Sequence, residues 1–279
     1  MIAFWFIFPS IVLATFIPAY FALYLVPRLK FIHVRYLAAV GVGLSFWYFF
    51  DTIGDATSLG ENNSVYPPYL FGGLPHFALI GAFVLGVATL ATFDHFAVPM
   101  PGPPGPGRSS LFLISLAVAL VMGIHGLGEG WDAVSVVSSG PPVSATGLQA
   151  LIEAFGTFPA VLSYPLHKFL EASIVAVLYT AYVSRAAGDR CRWWEVPLLG
   201  FLFAGPSAVG AALGYFASFD TTYFFAFGAA GALYSVLRLV ERTSPNFKLG
   251  EGTPSHYGWA LFAALTAGFF LLYFAALLH

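Results

Sequence analysis

Residues 111–137 read LFLISLAVALVMGIHGLGEGWDAVSVV, and residues 158–183 read FPAVLSYPLHKFLEASIVAVLYTAYV. At 1.5 Å per residue, each is long enough to cross a hydrocarbon core of ~30 Å as one helix. Yet each carries a histidine and a glutamate well inside it: His125 and Glu129 in the first, His167 and Glu171 in the second. Ionisable groups at such depth are costly in lipid, so they face a bundle interior, a cavity or a pathway. The two stretches therefore predict membrane-spanning helices that share a polar interior.

The rest of the chain extends this reading. Of its 279 residues, 59% are hydrophobic and 9% charged, against roughly 25% charged in an ordinary soluble domain. Lipid must solvate much of that apolar surface. Apolar runs near 2–25, 36–58, 76–98, 110–137, 157–183, 197–219, 221–243 and 257–278 predict an all-α bundle of eight transmembrane helices. A short separate helix is expected before the fifth, from Gly147 to Phe155. Asp220 alone parts the sixth and seventh runs, which predicts a tight hairpin there. The first run lacks a basic leader and is followed by basic residues, so it reads as a retained span. One cysteine, Cys191, excludes an intramolecular disulfide framework and a Cys-rich metal site. A net charge of −2 gives no argument for nucleic acid.

The basic residues give an independent count of spans. Arg28, Lys30 and Arg35 follow the first, and Arg108 follows the third. Arg185, Arg190 and Arg192 follow the fifth; Arg238, Arg242 and Lys248 close or follow the seventh. Apart from Lys168, no Lys or Arg lies elsewhere. The positive-inside rule makes that side cytoplasmic and puts both termini outside. The stretch Pro99–Gly107 (PMPGPPGPG) predicts an extended cytoplasmic loop over about 99–109, inside a single transmembrane domain covering 1–279.

In each polar span His and Glu are four apart, so both project from one helical face. Imidazole nitrogen with carboxylate oxygen suits zinc and similar first-row divalent ions. Counted from the outer ends, His125 and Glu129 lie roughly 18 and 12 Å deep, His167 and Glu171 roughly 15 and 21 Å. An antiparallel pair of spans would bring His125 near Glu171 and Glu129 near His167, with four ligands on one ion. Gly126, Gly128 and Gly130 are expected to let those two backbones approach. The plainer alternative is a pair of polar contacts between helices; axial ligation of a b-type haem by His125 and His167 is disfavoured by the carboxylates beside them. Asp51, Asp55, Asp94, His95 and Asp132 are candidate pathway residues. Asp51 and Asp55 could line an entrance near the outer end of the second span, and Asp94 and His95 close the third.

These motifs resemble the ZIP (Zrt/Irt-like) divalent metal transporters. IHGLGEGWDAVSV is similar to that family's fourth-helix signature and HKFLEA to its fifth. AGPSAVGAALGYF resembles the small-residue sixth helix, AFGAAGALYSVLRLVER the seventh, and DHFAVP the end of the third. The resemblance implies eight helices with both termini outside and a variable cytoplasmic loop after the third. It also implies two adjacent metals, the second held by positions that here are Gly126, Lys168 and Gly205. Two of those ligands are missing and the third is a cation, which offers no lone pair. Gly128 and Leu170 stand where prolines are usual. The expected site is therefore a single-metal one made of His125, Glu129, His167 and Glu171, with Lys168 substituting for the second ion's charge.

The function expected is passage of a divalent ion, zinc foremost, or iron or manganese, as substrate rather than resident cofactor. No organic cofactor and no enzymatic activity are expected. The partners are the lipid bilayer and the metal; a homodimer stays open, and the plasma membrane is the expected location. The alternatives are a ZIP-like protein that does not transport, as a sensor or complex subunit, or an intramembrane metalloenzyme using Asp132 or Lys168.

Overall fold

The computed structural model describes residues 2–30, 32–57, 73–97, 108–139, 148–155, 157–184, 192–217, 219–243 and 259–277. The expected loop at 99–109 falls almost wholly outside these residues, as does Lys248, and the side chain of Asp55 is outside them too. Among the described residues the chain is all helical. Its elements are α1 (Ile2–Leu25), α2 (Val34–Thr57), α3 (Gly73–Ala97), α4 (Arg108–Ser139), α5 (Leu148–Phe155), α6 (Phe158–Tyr179), α7 (Glu195–Gly214), α8 (Thr222–Thr243) and α9 (Trp259–Ala276). All but α5 are long and apolar enough to span a membrane, eight in number. Such a chain satisfies its backbone polar groups internally, as lipid requires.

The most apolar part of α6 is 72% buried and that of α4 67%, against 11% for α3 and 22% for α9. The two helices that carry the His/Glu pairs are thus the centre of the bundle. Thr157 fixes the start of α6: its Oγ1 accepts from the Ala160 N–H at 3.2 Å, and a proline sits in the first turn. The far end of α6 runs into a π turn, Thr180–Ser184, from which the Tyr182 hydroxyl donates to the Arg238 carbonyl at 2.7 Å and to Glu241.

Cross-helix contacts define two ends. At one, Asp94 of α3 pairs with Arg238 of α8, Arg35 Nε donates to the Thr243 carbonyl at 2.5 Å, and the Tyr179 hydroxyl donates to Glu195 at 2.5 Å. At the other, Thr221 Oγ1 donates to Asp132 at 2.6 Å and Trp131 Nε1 to the Ala217 carbonyl at 2.9 Å. The described basic side chains gather at the first end, called the basic end below; Lys168 alone among them lies in the middle.

By their packing, the helices sort into two sets, α1, α4, α6 and α7 in one and α2, α3, α8 and α9 in the other. Glycines explain the sorting. A Cβ at Gly123, Gly130, Gly210 or Gly214 would lie 2.0–2.4 Å from a backbone oxygen across the α4–α7 contact. Gly43 and Gly268 seat α2 on α9 in the same manner, and Gly86 seats α3 on α8. Between the sets, Gly128 and Gly231 of the α4–α8 seam meet side chains only, and a Cβ at Gly228 would lie 2.4 Å from His125 Cβ and 3.3 Å from its Cα. Backbone-to-backbone seating therefore joins α4 to α7, α2 to α9 and α3 to α8, whereas the seam between the sets is filled mostly by side chains.

Two expectations need correction. Gly126, Gly128 and Gly130 do not bring α4 to α6. Gly126 and Gly130 face Ser207 of α7, and Gly128 faces Phe224 and Phe225 of α8, because the α4 face toward α6 is the one bearing His125 and Glu129. The sixth span also ends at Gly214, not beside Asp220. The chain leaves the helix there so that Ala217 can accept the Trp131 indole N–H; Asp220 instead caps α8 by accepting from the Thr222 N–H at 3.2 Å.

Gly210→Ala would place a methyl 2.0 Å from the Leu127 carbonyl oxygen, so it should destabilise the bundle by about 1–3 kcal/mol. Gly205→Ala meets nothing closer than 3.6 Å and is the matched control. Thermal unfolding in detergent checks the pair: equal melting temperatures for the two variants would refute this account of the α4–α7 contact.

Candidate metal centre

Three of the four predicted ligands, His125, Glu129 and Glu171, come within mutual reach where α4 crosses α6, and His167 joins them through Glu171. His125 Nε2 lies 3.4 Å from Glu129 Oε1 and 3.7 Å from Glu171 Oε1. His167 Nε2 lies 3.0 Å from the same Glu171 Oε1. Ligands placed tetrahedrally about zinc at ~2.0–2.2 Å stand about 3.4 Å apart; the two His125 distances are close to that, and the ligand atoms of His125, Glu129 and Glu171 all lie within 4.8 Å of one another. Those three form the one cluster of metal-ligating groups within mutual reach among the described residues.

The expected approach of His125 to Glu171 is present. Glu129 turns toward Lys168 instead of His167. Lys168 is 1% exposed, and its ammonium contacts Glu129 Oε2 and donates to Glu171 Oε2 at 2.6 Å. Each carboxylate is thereby split between two partners. Oε1 of each faces histidine, and Oε2 of each faces the lysine ammonium. Tyr164, one turn before Lys168, adds its ring face 5.7 Å from the ammonium.

Asp51 belongs to this centre more closely than an entrance residue would. Its Oδ2 is 3.8 Å from His167 Nε2. It reaches in from α2, so the second set of helices supplies part of the site. Three carboxylates less one ammonium leave two negative charges when all are ionised, which one divalent cation cancels. Asp132 stands further out, held by Thr221, and lines the same cavity of about 340 Å³ as Asp51, Glu129, Tyr164 and His167. That cavity lies toward the Asp132 end. Toward the basic end, about one turn along their helices from Tyr48, His125 and Glu171, Leu44, Val121, Met122 and Ile174 are all buried.

Asp94 and His95 do not join this group. Asp94 is engaged by Arg238 and by the Tyr234 hydroxyl at the basic end, an ion pair between α3 and α8. Asp55 ends α2 beyond the described side chains.

One neighbour escaped the sequence reading. Tyr48 of α2 packs its ring against His125, centroids 5.1 Å apart at 77°, while Phe225 of α8 closes the opposite flank at 5.0 Å. The signal was available as i, i+3 spacing between Tyr48 and Asp51, one face of α2. His125 Nδ1 finds no acceptor among the described residues, so packing rather than an outer hydrogen bond orients that ring.

No protein-family model matches this chain, and no curated protein matches it.

Proposed function

We propose that this chain carries a divalent metal ion, zinc foremost, across the membrane, binding it on the histidine side of Glu129 and Glu171 in a single-metal variant of the ZIP-type site. The observation that carries the reading is the division of both carboxylates, Oε1 toward histidine and Oε2 toward Lys168. That is the arrangement of a pair of bridging ligands between two cation positions, with a tethered ammonium in one. Mixed imidazole and carboxylate donors hold zinc firmly yet lose it on protonation, as a transport site requires. The positive-inside rule turns the basic end to the cytoplasm, so the cavity opens outward and both termini lie outside. Division of the helices into two sets, with the ligands of α4 and α6 in one and Asp51 in the other, supports alternating access by movement of one set against the other.

The test is uptake of zinc, iron(II) and manganese into proteoliposomes. Native protein should show saturable uptake of at least one ion, reduced about tenfold or more by Glu129→Ala. A second reading draws on the fact that Lys168 already pairs both carboxylates: the network is then a fixed polar tie in a protein that does not transport. Folded protein that moves no ion would favour it and sink the first.

A further inference from the structure

The phenol of Tyr48 lies wholly inside the protein, 0% exposed, and its hydroxyl finds no hydrogen-bond partner among the described residues. Thr52, one turn on along the same face, gives its own hydrogen to the Tyr48 carbonyl at 2.7 Å. Buried hydroxyls are nearly always satisfied, because an unmet one costs about 1–3 kcal/mol. Bulk water does not reach this one, and the ring is clamped edge-to-face against the His125 imidazole, so it cannot swing out to solvent. The imidazole it packs against stands 3.4 Å from Glu129 and 3.7 Å from Glu171, so the ring borders the metal centre.

Among the described residues His125 Nδ1 likewise lacks a partner, but it belongs to a ligand ring; the Trp47, Ser115 and Ser207 groups lie away from the centre. The Trp47 indole packs on Phe269 and Tyr273 of α9, away from the centre. Ser115 sits on α4 about 15 Å from His125 toward the basic end. The Ser207 hydroxyl turns to Gly126, on the α7 face of α4.

We infer that Tyr48 is a positioning residue of the metal centre, whose hydroxyl is left idle in the metal-free protein and donates to a water or hydroxide carried in by the ion. The inference rests on the metal-binding reading above. Among the described residues only His125, Glu129 and Glu171 lie within mutual reach of one ion, His167 standing against Glu171 and Asp51, so an ion held by those three would have a fourth position open to a solvent ligand. A phenol O–H on the wall beside His125 is a donor for that ligand, and a bound water is the partner the hydroxyl lacks. Tyr48 comes from α2 and the three ligands come from α4 and α6. The bond therefore ties the two helix sets together only when an ion is present.

Tyr48→Phe removes the oxygen and nothing else, and zinc affinity and thermal unfolding are measured with and without chelator. In chelator, the variant should melt at or above the native temperature, because the oxygen it loses makes no bond there. Its zinc affinity should fall about tenfold, as expected for one hydrogen bond to a charged group, and the stabilisation by zinc should shrink accordingly. Affinity within twofold of native would overturn the inference. So would a lower melting temperature in chelator, or a failure to fold, since either means the hydroxyl already has work in the metal-free protein. The native protein separates the two readings. If zinc neither binds nor stabilises it, the metal centre falls, and Tyr48's role with it.

Discussion

Lys168→Met is expected to lower the stability of the metal-free protein by about 3–5 kcal/mol, the cost of removing one partner from a buried ion pair. Glu129 and Glu171 would then confront each other across the space the ammonium fills, with no cation between their Oε2 atoms. Methionine replaces the length and flexibility of the side chain, so the loss is one of charge rather than packing. Saturating zinc should restore most of the loss, and zinc affinity should rise at least about tenfold, because a fixed positive charge no longer sits a few ångströms from the ion. Melting curves with chelator and with zinc decide it. A variant destabilised equally in both would make Lys168 a structural tie with no relation to a metal position. Lys168→Asp extends the test: a carboxylate in that place should raise the number of bound ions, and unchanged metal content would count against a vacated second position.

Glu171→Gln should show the opposite signature. Glu171 is the hub of the centre: its Oε1 faces both histidine Nε2 atoms and its Oε2 faces the ammonium. The amide keeps the shape and removes the charge, so zinc affinity should fall on the order of a hundredfold. Stability without metal should change little, because Glu129 remains as counter-ion to Lys168 and the centre has one fewer buried carboxylate. Isothermal titration with zinc and thermal unfolding in chelator give the two readings. If Glu171→Gln destabilised the metal-free protein as much as Lys168→Met and zinc altered neither, both carboxylates would be ordinary helix-packing contacts.

Much of this was legible from residue order alone. Eight spans and their alternation could be read because length, apolarity and the placement of Arg28, Arg35, Arg238 and Arg242 are properties of single segments. The His125–Glu171 contact could be read because i, i+4 spacing fixes a face and helix rise fixes a depth. What residue order does not contain is how each helix is turned about its own axis. Gly126 and Gly130 can serve any neighbour, and only the packed bundle assigns them to α7. Asp51 and Tyr48 share a face of α2, yet whether that face meets His125 or lipid depends on the seating of α2 against α9 at Gly43 and Gly268. The meeting of Lys168 with Glu129 was missed for a similar reason: a long, flexible side chain goes to the deepest available negative charge, and two such charges are available only after α4 and α6 have packed.

The tethered ammonium has an electrical consequence on the transport reading. The helix set that bears Glu129, Lys168 and Glu171 has a site charge of −1 when empty and +1 when it holds a divalent ion; without Lys168 the values would be −2 and 0. A membrane potential acts on each unit of charge with about 2.3 kcal/mol per 100 mV across the full field. With a negative interior, a set charged +1 is drawn inward when loaded, and the same set at −1 is driven outward when empty. Both halves of the cycle would then run with the field, whereas a site without the lysine would feel it only on the empty return.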